Sequence, residues 1–447
     1  MMLQNLRTRL TNNPDYGWSL ASSYGHMALN IIVQIALVPL YLSTLGKPQF
    51  GVLMIVISAI NYLGLGVAWI SSGVQRIMGE QFAVDDLPAL MRTFGLTKYM
   101  FAGYAVITAI CIYSTAWVLQ DSFFADTPEL RTEVLQMIGI GAIYVIVLYD
   151  LNVDRLVLIS VGKQAWANIL SIVSLLVFAC AVIPILLNNG GLSEVMIAFL
   201  GGALVARALS HILVRKRGIR IRQPILSKDG TERAILKRLL GPMGLGYAVY
   251  GALLLTLLQA DTLILGAIGG AALVADYILI WKIADVGMQI LWRLPETLVP
   301  YLIQMDAKGE HKRMVRIYAS AQKIMLALAA ISGLSFALLG QTIVELWVGT
   351  ENTPDLPWAY ALAGGAIFWM VLARLPAVFA FSTVNLKPLV AVTGLETIAK
   401  VIFLFALFPT LGLYAPLVAI NVIHILGIAF LYQRLYRPNM TTGTSFS

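Results

Sequence analysis

Charged side chains within long apolar runs are the residues of this sequence best placed to do chemistry. Five are basic and five are acidic: Arg207, Lys282, Arg293, Arg374 and Lys400, with Asp261, Asp276, Asp285, Glu296 and Glu396. An ionised side chain at the centre of a bilayer costs about 2.5–3.5 kcal/mol on insertion scales, so each needs a partner, water or a ligand. The basic members favour an anionic ligand, because guanidinium and ammonium groups pair strongly with phosphate.

Helical spacing offers three of the basic residues an acidic neighbour. The pairs lie three or four positions apart: Lys282–Asp285, Arg293–Glu296 and Glu396–Lys400. Such pairs are neighbours on a helix, so each could be a structural bridge or part of a transport pathway. Arg374 has no acidic residue within four positions, so its partner must be another helix, cavity water or an anionic substrate. The predicted substrate-binding residues are therefore Arg374, Lys282, Lys400, Arg207 and Arg293.

The acidic residues are candidates for coupling to an ion gradient. A carboxylate in a low-dielectric site can exchange protons as its surroundings change. Asp285 is the first candidate, because an incoming anion could draw Lys282 away and favour proton uptake. Asp261 and Glu396 follow. A permanent Lys282–Asp285 bridge is the competing interpretation, since breaking a buried pair costs several kcal/mol.

Polar and aromatic residues within the spans predict a cavity wall. Ser19, Ser23, His26 and Asn30 follow one another at spacings of four, three and four, which places them on one helix face. They could line a hydrophilic cavity or form hydrogen bonds between helices. Trp281 could stack on a sugar ring, although lipid packing is a commoner use of tryptophan.

The rest of the sequence indicates what must position these residues. With 59% hydrophobic residues, 12% charged residues and a mean hydropathy of +0.81, the chain has the composition of an all-α polytopic membrane protein. Twelve runs approach or exceed the ~20 residues that a bilayer core requires. They are 18–45, 50–73, 97–119, 132–151, 166–187, 192–214, 241–267, 271–300, 323–348, 358–383, 388–408 and 411–433.

Basic residues between the runs predict the topology. With both termini in the cytoplasm, almost all of them fall on the inner side, and the outer side receives only Lys47 and Arg131. The net charge of +8 therefore indicates orientation in a membrane and contact with its lipids, not nucleic-acid binding. The basic segment 215–238 has nine of these residues. Instead of determining the topology, this segment could bind a cytosolic partner.

A weak internal repeat divides the chain into halves. A shift of 224 residues aligns Leu45-Gly46 with Gly269-Gly270, and Asn61 with Asp285. The predicted organisation is an N-terminal half at 1–214, a basic cytoplasmic linker at 215–240 and a C-terminal half at 241–447. Two six-helix units would form parallel repeats around a central cavity, an arrangement used by alternating-access transporters.

Several functional classes lack their sequence signatures. No G-x-x-x-x-G-K-[ST] phosphate loop is present, and no Cys/His cluster has metal-ligand spacing. Cys111 and Cys180 both lie in apolar runs and predict no disulfide framework. No cofactor, metal or enzymatic activity is therefore expected.

Two stretches resemble polysaccharide transporters of the multidrug/oligosaccharidyl-lipid/polysaccharide exporter superfamily. The first resembles the family's opening helix and loop, and the second its passage from helix 7 to helix 8. The residues concerned are Ser22-Ser23-Tyr24-Gly25, Asn30, Val38-Pro39-Leu40-Tyr41-Leu42, Leu45-Gly46 and Phe50-Gly51, then Asp261-Thr262-Leu263-Ile264-Leu265-Gly266 and Val274-Ala275-Asp276-Tyr277.

The resemblance implies a flippase in the bacterial inner membrane that moves an undecaprenyl-pyrophosphate-linked oligosaccharide from the inner to the outer leaflet, as in O-antigen and capsule synthesis. Its expected partners are that lipid, a proton or sodium ion, and other membrane proteins of polysaccharide assembly. A cation-coupled multidrug antiporter is the alternative. The sequence interpretation places every embedded acidic residue in the second half, whereas drug-extruding relatives often use one in the first, so it favours the flippase.

Overall fold

The regular secondary structure of the chain is entirely helical wherever its structure is described, and short turns connect the helices. The computed structural model describes residues 14–123, 131–216, 242–382 and 386–427, with residues 233 and 235–237, and contains no strand in these ranges. Six helices precede residue 217: α1 Pro14–Leu63, α2 Leu65–Ala83, α3 Leu87–Phe123, α4 Arg131–Ser160, α5 Gln164–Leu187 and α6 Leu192–Lys216. Six follow residue 241: α7 Pro242–Glu296, α8 Val299–Ala307, α9 His311–Val348, α10 Pro357–Ser382, α11 Leu386–Leu411 and α12 Tyr414–Leu426.

Helix α1 is long enough for two membrane crossings. Its apolar part, Gly17–Tyr62, has 46 residues. At 1.5 Å per residue this is about 69 Å, more than twice the ~30 Å of a bilayer core. Gly46 interrupts it with φ 78° and ψ 166°, a conformation that is essentially restricted to glycine. Helix α1 is therefore two consecutive crossings joined at Gly46.

Helix α7 repeats this design at the predicted offset. Its apolar part, Val249–Glu296, has 48 residues and is interrupted by Gly270 with φ 79° and ψ 174°. Gly46 and Gly270 are 224 positions apart, as are the positive-φ residues Asp85 and Gly309 that follow α2 and α8. The backbone thus confirms the internal repeat, and helices α1–α6 correspond in order to α7–α12.

The helix lengths confirm a polytopic membrane protein. In the described part of the chain, nine helices are long and apolar enough to cross a membrane. Two of them, α1 and α7, each supply two crossings, and α12 adds a further apolar helix. These helices account for the twelve predicted spans.

Residue contacts divide the chain into two compact units that meet in sequence between Ala248 and Val249. Most of the predicted linker 215–240 lies outside the described residues, so its role and side stay predictions. Within the second unit, α9 and α10 cross closely, because a methyl group on Gly333 would lie 2.7 Å from the carbonyl oxygen of Gly364.

Candidate functional site

A pocket within the C-terminal unit brings together several of the predicted residues. It contains about 430 Å³ of space, part of it open to the surroundings, and is lined by α7, α10, α11 and α12. Most of its wall is apolar. The polar and aromatic lining residues are Tyr250, Trp292, Arg374, Thr393, Glu396 and His424.

Arg374 reaches the pocket from α10 and pairs with a residue of α7. Its Nη2 lies 2.5 Å from Oε1 of Glu296, and its guanidinium carbon lies 5.1 Å from the centre of the Trp292 ring. The Trp292 indole is fixed in turn, because it donates a hydrogen bond of 3.2 Å to the carbonyl of Met370. The sequence left three possible partners for Arg374: another helix, cavity water or an anionic substrate. In the structure, its partner is Glu296 on another helix.

The positive charge beside the pocket exceeds the negative charge of Glu296. Glu296 also binds Arg293, whose Nη1 lies 3.0 Å from Oε2, as the helical spacing predicted. One carboxylate is thus shared by two guanidinium groups. Nε of Arg374 is buried and has no hydrogen-bond partner among the described residues. Arg374 therefore carries a charge that Glu296 balances only in part and one donor without a hydrogen-bond partner, whereas the Arg293 side chain is 56% exposed.

Glu396 and His424 face each other in the same pocket. Oε1 of Glu396 lies 3.9 Å from Nδ1 of His424, and each side chain is 5% exposed. Neither atom has a hydrogen-bond partner within the described ranges. Of the two interpretations of the Glu396–Lys400 spacing, the structural bridge is therefore wrong.

Lys400 instead forms a buried ion pair with Asp261 of α7. Its Nζ lies 2.7 Å from Oδ2 of Asp261 and also binds the carbonyl of Leu257. Tyr277 donates a hydrogen bond of 2.7 Å to the same carboxylate oxygen. Helical spacing detects only neighbours on one helix and could not find a partner on α7. Two residues predicted for substrate binding and ion coupling, Lys400 and Asp261, thus neutralise each other.

The predicted wall residue Trp281 and the first coupling candidate lie further along α7. Trp281 is buried and stacks on Tyr277, with ring centres 6.0 Å apart. Asp285 accepts a hydrogen bond of 2.7 Å from the Gln289 amide, and Lys282 is half-buried beside it in the chain. A coupling role for Asp285 stays a prediction.

The N-terminal unit contains a charge network that the sequence interpretation missed. Asp150 and Asp154 lie one helical turn apart on α4 and bind both Lys98 of α3 and Arg207 of α6. Lys98 Nζ lies 2.8 Å from Asp154, and Arg207 Nη1 lies 3.0 Å from it. Ser210 adds a hydrogen bond of 2.6 Å to Asp154. The statement that all embedded acidic residues lie in the second half is therefore wrong.

This network also changes the interpretation of Arg207 and Lys98. Lys98 is the second residue of the predicted span 97–119, but α3 begins at Leu87 and Lys98 is buried within this helix. Arg207, predicted to bind substrate, binds both acids on α4. The charges of the two acidic and two basic side chains sum to zero, so we interpret the network as a structural one that holds α3, α4 and α6 together.

The polar face of α1 contributes hydrogen bonds between helices. The Asn168 amide of α5 donates to the hydroxyls of Ser22 and Ser23 at 2.9 and 2.8 Å. His26 and Asn30 are half-buried further along α1. Of the residues predicted on this face, Ser23 forms the hydrogen bond between helices that was one of the two interpretations, and Ser22 adds a second bond from outside the predicted face. The wall role of His26 and Asn30 stays a prediction.

Among the described residues, no group of three or more His, Cys, Asp or Glu side chains could hold a metal ion. The pocket also contains functional candidates that the sequence interpretation did not select. Tyr250 and His424 are 174 residues apart in sequence, and only helix packing brings them to one cavity. His424 follows an apolar stretch of sequence, and no charged or metal-ligating residue close to it in the sequence marks it as a functional candidate.

Comparison with solved structures identifies the fold. The chain is similar over 92% of its length to an inward-facing multidrug resistance MATE family transporter of the MOP superfamily, with 15% identity, 94% coverage of that chain and a TM-score of 0.70. It is similar over 93% of its length to the lipid II flippase MurJ in an inward closed conformation, with 12% identity, 87% coverage and a TM-score of 0.71. A eukaryotic MATE transporter gives 11% identity, coverage of 95% and 96%, and a TM-score of 0.67.

No protein-family model and no curated protein sequence matches the chain. At these identities the structural likeness establishes the fold of MATE transporters and MurJ. The resemblance to the polysaccharide transporter family stays a prediction.

Proposed function

We propose that this chain is an alternating-access flippase that moves a polyprenyl-pyrophosphate-linked oligosaccharide across a bacterial inner membrane for surface polysaccharide synthesis. The observation that carries the proposal is the Arg374 site: a half-buried guanidinium on the pocket wall, with one buried and unbonded Nε and a shared counter-ion. The fold supports it, because MurJ, a lipid II flippase, has the same fold.

The chemistry of the site fits a pyrophosphate. A guanidinium offers a planar set of donors that matches phosphate oxygens, and Arg374 keeps Nε for this purpose. Excess positive charge beside a mostly apolar pocket wall would attract the headgroup strongly. The aromatic side chains of Tyr250 and Trp292 provide apolar faces on which a sugar ring could stack. Energy would come from an ion gradient or from consumption of the product outside.

The test is transport by the purified protein in liposomes, with a fluorescent lipid-linked oligosaccharide as substrate. Arg374→Ala should lower the initial rate by about 10- to 100-fold, because hydrogen bonds to charged groups are worth about 1.5–3 kcal/mol. Arg374→Lys should restore little, since an ammonium lacks the planar fork.

Arg313→Ala is the control. It removes a guanidinium from an ion pair of 3.0 Å with Glu310, but this side chain is 66% exposed and lies outside the pocket lining. Its rate should stay within about threefold of the wild type, as expected for an exposed ion pair worth less than about 1 kcal/mol. Equal losses in Arg374→Ala and Arg313→Ala would remove Arg374 from the substrate site.

The second candidate is a cation-coupled multidrug antiporter. The observation that favours it is the buried Glu396 carboxylate beside Tyr250 and Trp292, a combination that suits an organic cation. Uptake of a cationic dye into the same liposomes, with no response to lipid pyrophosphate, would select this alternative. A gene located among glycosyltransferase genes would favour the flippase.

A further inference from the structure

Glu396 and His424 form an incomplete hydrogen-bonding pair in the pocket. Their facing atoms, Oε1 and Nδ1, are 3.9 Å apart, beyond the 2.7–3.2 Å of a hydrogen bond. Both atoms are buried, and neither bonds to any described residue. A buried polar group left unsatisfied costs about 1–3 kcal/mol, so two on one pocket wall indicate a site that gains stability from an occupant.

We propose that Glu396 and His424 form a proton-binding site that is linked to anion binding at Arg374. A proton taken from water would bind Oε1 of Glu396, and the resulting carboxylic acid would donate a hydrogen bond to Nδ1 of neutral His424. Closing the gap needs a movement of about 1 Å between α11 and α12 to reach hydrogen-bond distance. The neutral pair is favoured over a carboxylate and imidazolium, because separated charges are costly in an apolar pocket.

The charged and titratable groups around this pair determine whether proton binding strengthens or weakens anion binding. Tyr250 of α7 and Arg374 of α10 line the same pocket. Behind them, Arg374 pairs with Glu296, which also binds Arg293, and Lys400 of α11 pairs with Asp261 of α7. Lys400 and Asp261 neutralise each other. The cluster of Arg374, Glu296 and Arg293 carries one net positive charge.

An ionised Glu396 would cancel this positive charge, whereas a protonated Glu396 leaves it available to an anion. Proton binding should therefore strengthen anion binding at Arg374, and by linkage anion binding should promote proton uptake. This inference rests on the proposed function for its anionic ligand. The proton site itself does not depend on that ligand.

The first experiment detects the proton without any ligand. Infrared difference spectra of the purified wild-type protein, recorded across a pH titration, should contain the carbonyl stretch of a protonated carboxylic acid that disappears as pH rises. That band should be missing in Glu396→Gln and should be shifted in frequency in His424→Leu, which loses the hydrogen-bond acceptor. Asp285→Asn, on a different part of the chain, should keep the band unchanged.

The second experiment measures the linkage with farnesyl diphosphate as the anionic probe. Its binding to the wild-type protein, followed by calorimetry, should be at least tenfold tighter at the acid end of the titration than at the alkaline end. Glu396→Gln mimics the protonated acid, so its affinity should be high and vary less than twofold with pH. Calorimetry in buffers of different ionisation enthalpy should report proton uptake in the wild type and none in Glu396→Gln.

The outcomes separate the two proposals. A carboxylic acid band that survives in Glu396→Gln would overturn the proton site, whatever farnesyl diphosphate does. The band without any binding of the probe would leave the proton site in place and count against the flippase. Tight binding with equal pH dependence in wild type and Glu396→Gln would overturn the linkage and leave the anion site at Arg374.

Discussion

Removal of the positive charge from the buried Lys400–Asp261 pair should strongly destabilise the C-terminal unit. The two side chains are only 3% and 4% exposed, and the nitrogen and oxygen are 2.7 Å apart. Lys400→Met keeps the length of the side chain but leaves the Asp261 carboxylate buried without its counter-ion. Breaking one partner of such a pair costs about 3–5 kcal/mol. Tyr277 still donates to the carboxylate, so we expect the lower half of that range.

The free energy of unfolding can be measured by circular dichroism in mixed micelles. Arg313→Met is the matched control, because its ion pair with Glu310 has a similar separation, 3.0 Å, but exposed fractions of 66% and 35%. An exposed pair is worth about 0–1 kcal/mol, so this control should stay close to the wild type.

A double variant tests the mechanism of the loss. Lys400→Met with Asp261→Asn removes both charges and should be at least about 2 kcal/mol more stable than the sum of the single losses implies, since neither charge is left unpaired. Equal stability of Lys400→Met and Arg313→Met, or additive losses in the double variant, would refute the buried pair. Lys400 would then return to the list of substrate-binding candidates.

Three further predictions follow from other parts of the chain. Gly46→Ala should destabilise the protein by about 1–3 kcal/mol in the same unfolding assay because its φ of 78° excludes a Cβ, whereas Gly25→Ala, with open space around it, should be neutral or stabilising. Asp154→Asn should cost about 3–5 kcal/mol, because Lys98 and Arg207 would share one remaining acid; a loss below 1 kcal/mol would contradict the network. Ser227→Cys, in a variant without the two native cysteines, should resist impermeant thiol reagents in intact cells, and labelling from outside would invert the predicted topology.

Much of the fold could be predicted from the sequence because its determinants are local or periodic. Apolar runs of bilayer length specify the spans, since a membrane helix must satisfy its backbone polar groups within itself. Glycines at one offset specify the repeat, because Gly46 and Gly270 occupy a conformation that other residues avoid. The Arg293–Glu296 bridge was also predictable, since both residues lie on one turn of α7.

The assignment of charges to partners was decided by tertiary structure alone. Spacing along α11 joined Lys400 to Glu396, but helix packing turned Lys400 toward Asp261 on α7 and Glu396 toward His424 on α12. Arg374 likewise received its partner from another helix. An apolar helix has no sequence signal for the direction in which a charged side chain points relative to its neighbours. That direction depends on which helices pack together, because a buried charge takes the nearest opposite charge in space and not the nearest in sequence.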